Sequence, residues 1–112
     1  MSTDPIRLRL AVHRGDSPTV VDAWPVTDAG AQGLDLCVHR AIAGAGWTVS
    51  CRRTGLRLGS DHDRDVAVHQ VLSDLFGAAA QRDMDAAAYL DQRRRQWLDS
   101  MGPELLGGEV HA

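Results

Sequence analysis

The chain contains no lysine and no asparagine, and it has only one phenylalanine, one tyrosine, three tryptophans and two cysteines. Each shortage excludes something. So few aromatic rings, most of them needed for a core, leave no row of stacking platforms for sequence-tolerant single-strand binding. Cys37 and Cys51 match no zinc-site spacing and read as small buried apolar residues that remain thiols. No apolar run approaches the length of a membrane span. The start, MSTDPIRLRLAV, lacks the charged opening and long apolar core of a signal peptide. The expectation is cytoplasmic residence, with no membrane partner.

Catalytic and cofactor signatures are missing as well. GAQG at 30–33 lacks the lysine and hydroxyl of a phosphate-binding loop and the spacing of a dinucleotide fingerprint, and reads as a loose helix start. RGD at 14–16 reads as a hairpin turn. The sequence places no nucleophile beside a base and no isolated carboxylate pair. No catalytic residue and no cofactor are therefore nominated, and the reading leans away from an enzyme.

What is present suits a globular domain. Apolar residues make up 44% and charged residues 24% of 112 residues, which fits one unit spanning 1–112 with 1–4 and 104–112 expected to fray. All twelve basic residues are arginine, alongside abundant Ala, Gly, Asp and Val. That is the coding bias of a high-GC bacterial genome, so arginine in place of lysine carries little weight by itself. The net charge is −3 but uneven: residues 36–59 hold Arg40, Arg52, Arg53 and Arg57 and no acid, between two acidic flanks. Such an island can steer an anion even when the total is negative.

Period-two alternation in IRLRLAVH, with Ile6, Leu8, Leu10 and Val12 on one side, predicts a half-buried strand. TVVDAWPV predicts its hairpin partner. From Gly33 to about Ala45, apolar residues at three- and four-residue spacing (Leu34, Val38, Ala41, Ile42, Ala45) predict a helix. WTVSCRR and LRLG predict a second hairpin, followed by a helix from Ser60 toward Gly77 with Val68, Leu72, Leu75 and Phe76 inward. A last helix runs from an Asp83 cap to Met101, stopped by Gly102 and Pro103. The expected fold is α+β: a two-layer domain in ββα–ββα–α order, about four antiparallel strands with helices on one face.

Three surfaces are candidates. In the second hairpin an even-numbered loop sets Arg52 opposite Arg57, with Arg53 at the tip. Like charges so placed repel. With Arg40 they form a candidate anion or nucleic-acid site. In the last helix Ala87, Leu90, Arg94, Trp97 and Met101 step at three and four residues, a narrow seam suited to self-association or to a protein partner. Trp24 adds an apolar surface candidate. His62, Asp65 and His69 would share one face of a helix and form a weak metal candidate, against the plainer reading that the acids there cap the helix. The leading expectation is a non-enzymatic interaction or adaptor module, homodimeric through the C-terminal helix. The alternative is a nucleic-acid-binding accessory protein using the arginine hairpin.

Overall fold

The computed structural model describes residues 4–42 and 44–110. Its strands are β1 (Ile6–Arg9), β2 (Val20–Pro25), β3 (Leu36–Arg40), β4 (Trp47–Cys51), β5 (Arg57–Asp61) and β6 (Gly108–Glu109). Helices α1 (Arg64–Gln81) and α2 (Ala86–Met101) lie between β5 and β6, and short 3-10 turns occupy Ala29–Ala31 and Pro103–Leu105. The strands form one six-stranded sheet in the order β5-β4-β3-β2-β1-β6, every neighbouring pair antiparallel. The α+β class holds, but the ββα–ββα–α order and the four strands do not.

Two departures account for the difference. The segment expected as the first helix is β3. Leu36, Cys37, Val38 and His39 are all buried, so both faces of this strand are covered. A strand covered on both sides carries no polar alternation, and its apolar run is indistinguishable by period from a buried helix. Gly33 (φ +82°) and Asp35 (φ 52°) are left-handed and break any helical approach to it. The tail expected to fray is ordered through Val110: Leu8 pairs with Glu109 and Arg9 with Gly108, and the Val110 N–H bonds the Arg7 carbonyl.

The helices start on side-chain caps. Asp63 accepts from the N–H groups of Asp65 and Val66, and Asp85, not Asp83, accepts from that of Ala88. Helix α1 runs past Gly77. It turns Ala67, Val68, Val71, Leu75 and Ala79 inward and leaves Phe76, expected in the core, 48% exposed.

The sheet buries two separate apolar clusters. On one face Leu36, Val38, Val49 and Cys51 pack with Val68, Val71, Leu75, Ala86 and Leu90 from the helices. On the other, Leu8, Leu10, Ala23 and Cys37 pack with Ile6 and Val21, with no helical residue among them. This second cluster is nonetheless almost completely shielded. The sheet shields it by curling. The N–H groups of Gly107 and Glu109 bond the carbonyls of Thr54 and Arg52, and the Ala11 N–H bonds that of Gly55. Both ends of the strand order thus meet at the β4–β5 turn.

That corner tolerates little bulk. Gly55 has φ +74°, and a Cβ there would run into the Arg9 carbonyl and the Ala11 nitrogen. Gly55→Ala should lower stability by about 2–4 kcal/mol, from left-handed strain plus overpacking. Gly33 is also left-handed, but nothing lies within 4 Å of the place a Cβ would take there, so Gly33→Ala should lose only about 1 kcal/mol. Urea midpoints of the two variants measure the contrast, and equal losses would deny the corner its tightness.

Candidate functional site

The arginines of the second hairpin separate. Residue Leu58 is extra in β5, since Val49 pairs with Gly59 while Ser50 pairs with Arg57. The register of Trp47 to Val49 on Asp61 to Gly59 already differs by one residue from the predicted one, and the bulge shifts it once more, so Arg52 and Arg57 are not opposed. Arg52 instead sits in the turn, where its Nε and Nη2 donate to the two carboxylate oxygens of Glu109 at 3.0 and 3.2 Å. Those bonds hold its guanidinium further toward the charged form. Arg53 pairs with Asp35 at 3.4 Å and with Asp91 at 3.5 Å. Arg40 lies 4.0 Å over the ring of Trp47, which in turn meets the half-buried Trp24 edge-on. The charge island of the sequence is therefore dispersed: Arg52 and Arg53 are neutralised by acids and Arg40 is stacked on an indole.

Arg57 pairs with Ser50, on the sheet face that carries His39. It lines a concavity of about 340 Å³ together with Ala11, His13, Leu56, Arg93, Gln96, Trp97, Ser100 and Met101. The wall holds two guanidiniums, an imidazole, a carboxamide, a hydroxyl and an indole, and no carboxylate. Neither Arg57 nor Arg93 has an ion-pair partner among the described residues. Arg93 also borders a smaller cavity of about 70 Å³ that contains Asp74, beyond ion-pairing distance. His13 packs on Trp97 with ring centroids 5.3 Å apart. It is set there by its neighbour Arg14, which donates to the Met101 carbonyl at 2.9 Å and so caps α2.

Trp97 also holds a buried donor. Its Nε1–H is shut away from solvent and has no acceptor among the described residues. A buried donor left without a partner costs about 1–3 kcal/mol, and such groups are uncommon in native proteins. The C-terminal end of α2 opposes an anion here with about half a negative charge. Arg14 already occupies that end, and Arg57 and Arg93 are among the lining residues, which include no acid.

The other sequence candidates fare differently. The α2 seam packs on the chain's own core: Leu90 is buried in it, and Ala87 and Trp97 pack against it. Arg94 and Met101 are half-buried. The metal trio is not assembled. His62 precedes α1, Asp65 pairs with Arg64 at 2.7 Å, and His69 lines a different groove with Leu72 and Phe76. Among the described residues no group of three or more His, Cys, Asp or Glu is placed to hold a metal.

Sequence reasoning passed over Arg93, Gln96, Ser100 and His13. A signal for three of them exists, since 93, 96, 97, 100 and 101 fall at helical spacing and make one stripe along α2. His13 is joined to that stripe only by the tertiary fold.

Two buried groups behind the sheet need assigning. Burial pushes the Cys37 thiol up to about 12, and it donates weakly to the Ser50 carbonyl, so it is no nucleophile at neutral pH. His39 is fully buried: Nδ1–H donates to the Arg40 carbonyl at 2.8 Å, which leaves Nε2 to accept from the Ser50 hydroxyl at 2.9 Å. Burial lowers its pKa from the ordinary 6.5; the Arg40 carbonyl opposes the shift and the charge of Arg57 adds to it.

The unfolded chain therefore takes up a proton on this residue before the folded chain does. The His39 contribution to stability is full above pH 6.5 and declines as pH falls from there toward the lower folded value. Denaturant midpoints of His39→Gln should fall less than those of the parent between about pH 7.5 and 5.5, a window that brackets the ordinary histidine range. Parallel declines would remove His39 as the cause. No family model, curated protein or solved structure matches this chain.

Proposed function

We propose that the chain is a small non-enzymatic recognition module whose working surface is the concavity between α2 and the start of β5, and whose ligand carries negative charge. One observation carries this reading: the residues that line this concavity include Arg93, at its edge Arg57, and no carboxylate, and neither arginine has an ion-pair partner among the described residues. A guanidinium on a wall without carboxylates favours a carboxylate or phosphate, which it can grip with charge-assisted hydrogen bonds.

The interaction-module expectation survives in this reading with its surface moved. Self-association through the α2 seam would need Leu90 and Trp97, which the chain's own core already uses. The nucleic-acid alternative relied on Arg52, Arg53 and Arg57 acting together. The first two now bond Glu109, Asp35 and Asp91, so a continuous cationic track for a phosphate backbone is lacking at this hairpin.

Inorganic phosphate at low ionic strength is the direct probe, followed by the backbone and indole N–H resonances of the protein. Saturable shifts should appear at Arg57, Arg93 and Trp97 and vanish in the Arg57→Gln/Arg93→Gln double variant. Shifts of equal size in that variant, or none in the parent, would overturn the proposal.

A further inference from the structure

We infer that the ligand is an extended acidic peptide of a partner protein, added as a strand to the outer edge of β5 alongside α2. The inference rests on the anion-recognition reading above and names the class of partner. β5 ends the strand order, and among the described residues Arg57 to Asp61 make no backbone bond except to β4. Its outer N–H and carbonyl groups are therefore a template for one more strand.

That edge runs beside a helix. α1 sits directly on β5: a Cβ at Gly59 would lie 2.7 Å from Val71 Cγ2. α2 packs against α1 and borders β5 at two successive places. Leu56 and Arg57 share the larger concavity with Gln96, Trp97 and Ser100, whereas Leu58 shares the smaller one with Tyr89. As β5 advances α2 recedes, so strand and helix run antiparallel along one groove. A groove between a strand edge and a helix takes an extended chain and excludes a folded surface.

The charges specify the chain. Arg57 pairs with Ser50 and turns to the sheet face that carries His39, away from the helices. Leu58 turns to the opposite face and packs on the core beneath the helices. Arg93 borders both cavities, so it stands level with Arg57 and Leu58 but on the helix side. Successive side chains of an added strand point to opposite faces. Two adjacent acids would therefore meet one guanidinium each, Arg57 on the outer face and Arg93 on the helix side. Neither arginine has an ion-pair partner among the described residues. Asp74 borders the smaller cavity and disfavours a further acid there. The bulge at Leu58 and the shortness of β5 guard the edge against random pairing, which leaves recognition to the two charged contacts.

Five blocked peptides test this on the full chain. TVEEVTV carries adjacent acids; TVQQVTV removes their charge; TEVEVTV has the same composition with both acids on one face. Two forms of TVEEVTV, N-methylated on alternate amides in either phase, block one edge of the peptide or the other. TVEEVTV should bind at least about ten-fold more tightly than TVQQVTV or TEVEVTV, and at least one N-methylated form should lose about ten-fold, the effect of one charge-assisted or buried hydrogen bond. Amide exchange within Leu58 to Ser60 should slow on binding. Arg57→Gln and Arg93→Gln should each weaken TVEEVTV about ten-fold. Arg95→Gln, the same charge change on an exposed position of α2 outside the groove, should leave it unchanged.

The failures are distinguishable. If neither N-methylated form is weakened, or TEVEVTV binds as tightly as TVEEVTV, strand addition is wrong. If inorganic phosphate shifts the Arg93 resonance and no peptide binds, the inference falls and the anion-recognition reading stands. If neither phosphate nor peptide shifts any resonance of the groove, both fall. If a single-stranded oligonucleotide binds through Arg57 and Arg93 more tightly than TVEEVTV, the ligand is a nucleic acid and the inference is wrong.

Discussion

The structure depends on one junction, where backbone from both ends of the strand order meets the β4–β5 turn. The carbonyls of Arg52, Thr54 and Gly55 accept from Glu109, Gly107 and Ala11. Without these bonds the sheet is an open layer, and the cluster of Leu8, Leu10, Ala23 and Cys37 would face water with no helix to cover it. With them the sheet curls and shields that cluster. Close approach of this kind demands backbone without side chains, which is why Gly55, Gly107 and Gly108 lie where three segments converge. The Arg52–Glu109 pair spans the same junction, partly exposed, and adds little beyond what the backbone bonds supply.

The candidate site is built on that junction. Ala11 follows the strand that enters it, Leu56 and Arg57 leave the turn, and α2 crosses above with Arg93, Gln96 and Trp97. The residues on the concavity therefore come from three stretches held by main-chain bonds, so their spacing is set by the scaffold and not by side-chain chance. The same turn sorts the arginines: Arg57 pairs with Ser50 on the His39 face, while Arg52 and Arg53 meet acids.

Much of the fold was legible where one face is wet. The alternation of Arg7 and Arg9 with Leu8 and Leu10 marked β1, and the Gly102-Pro103 stop marked the end of α2. The strand β3 was not legible, because Leu36 to His39 is buried on both sides and shows no period of two. Nor was β6, whose two residues carry no pattern at all and are strand only because β1 and the β4–β5 turn lie beside them. For the site, the sequence nominated Arg57 and Trp97, but in different groups. Only the crossing of α2 over the start of β5, not written in local periodicity, sets both beside one concavity. The acids that neutralise Arg52 and Arg53 are distant in sequence, so a count of charge by segment could not register them.

The pairing of Leu8 with Glu109 joins opposite ends of the described chain. During synthesis the first hairpin emerges long before the strand that completes it. Until then its outer edge presents unpaired N–H and C=O groups, and Leu8 and Leu10 lack their cover. Contacts of such long sequence separation also form slowly, since the loop they close must be ordered first. The interval between the ribosome's release of β1 and its release of β6 is thus the period in which this protein is most exposed to mispairing with another copy of itself.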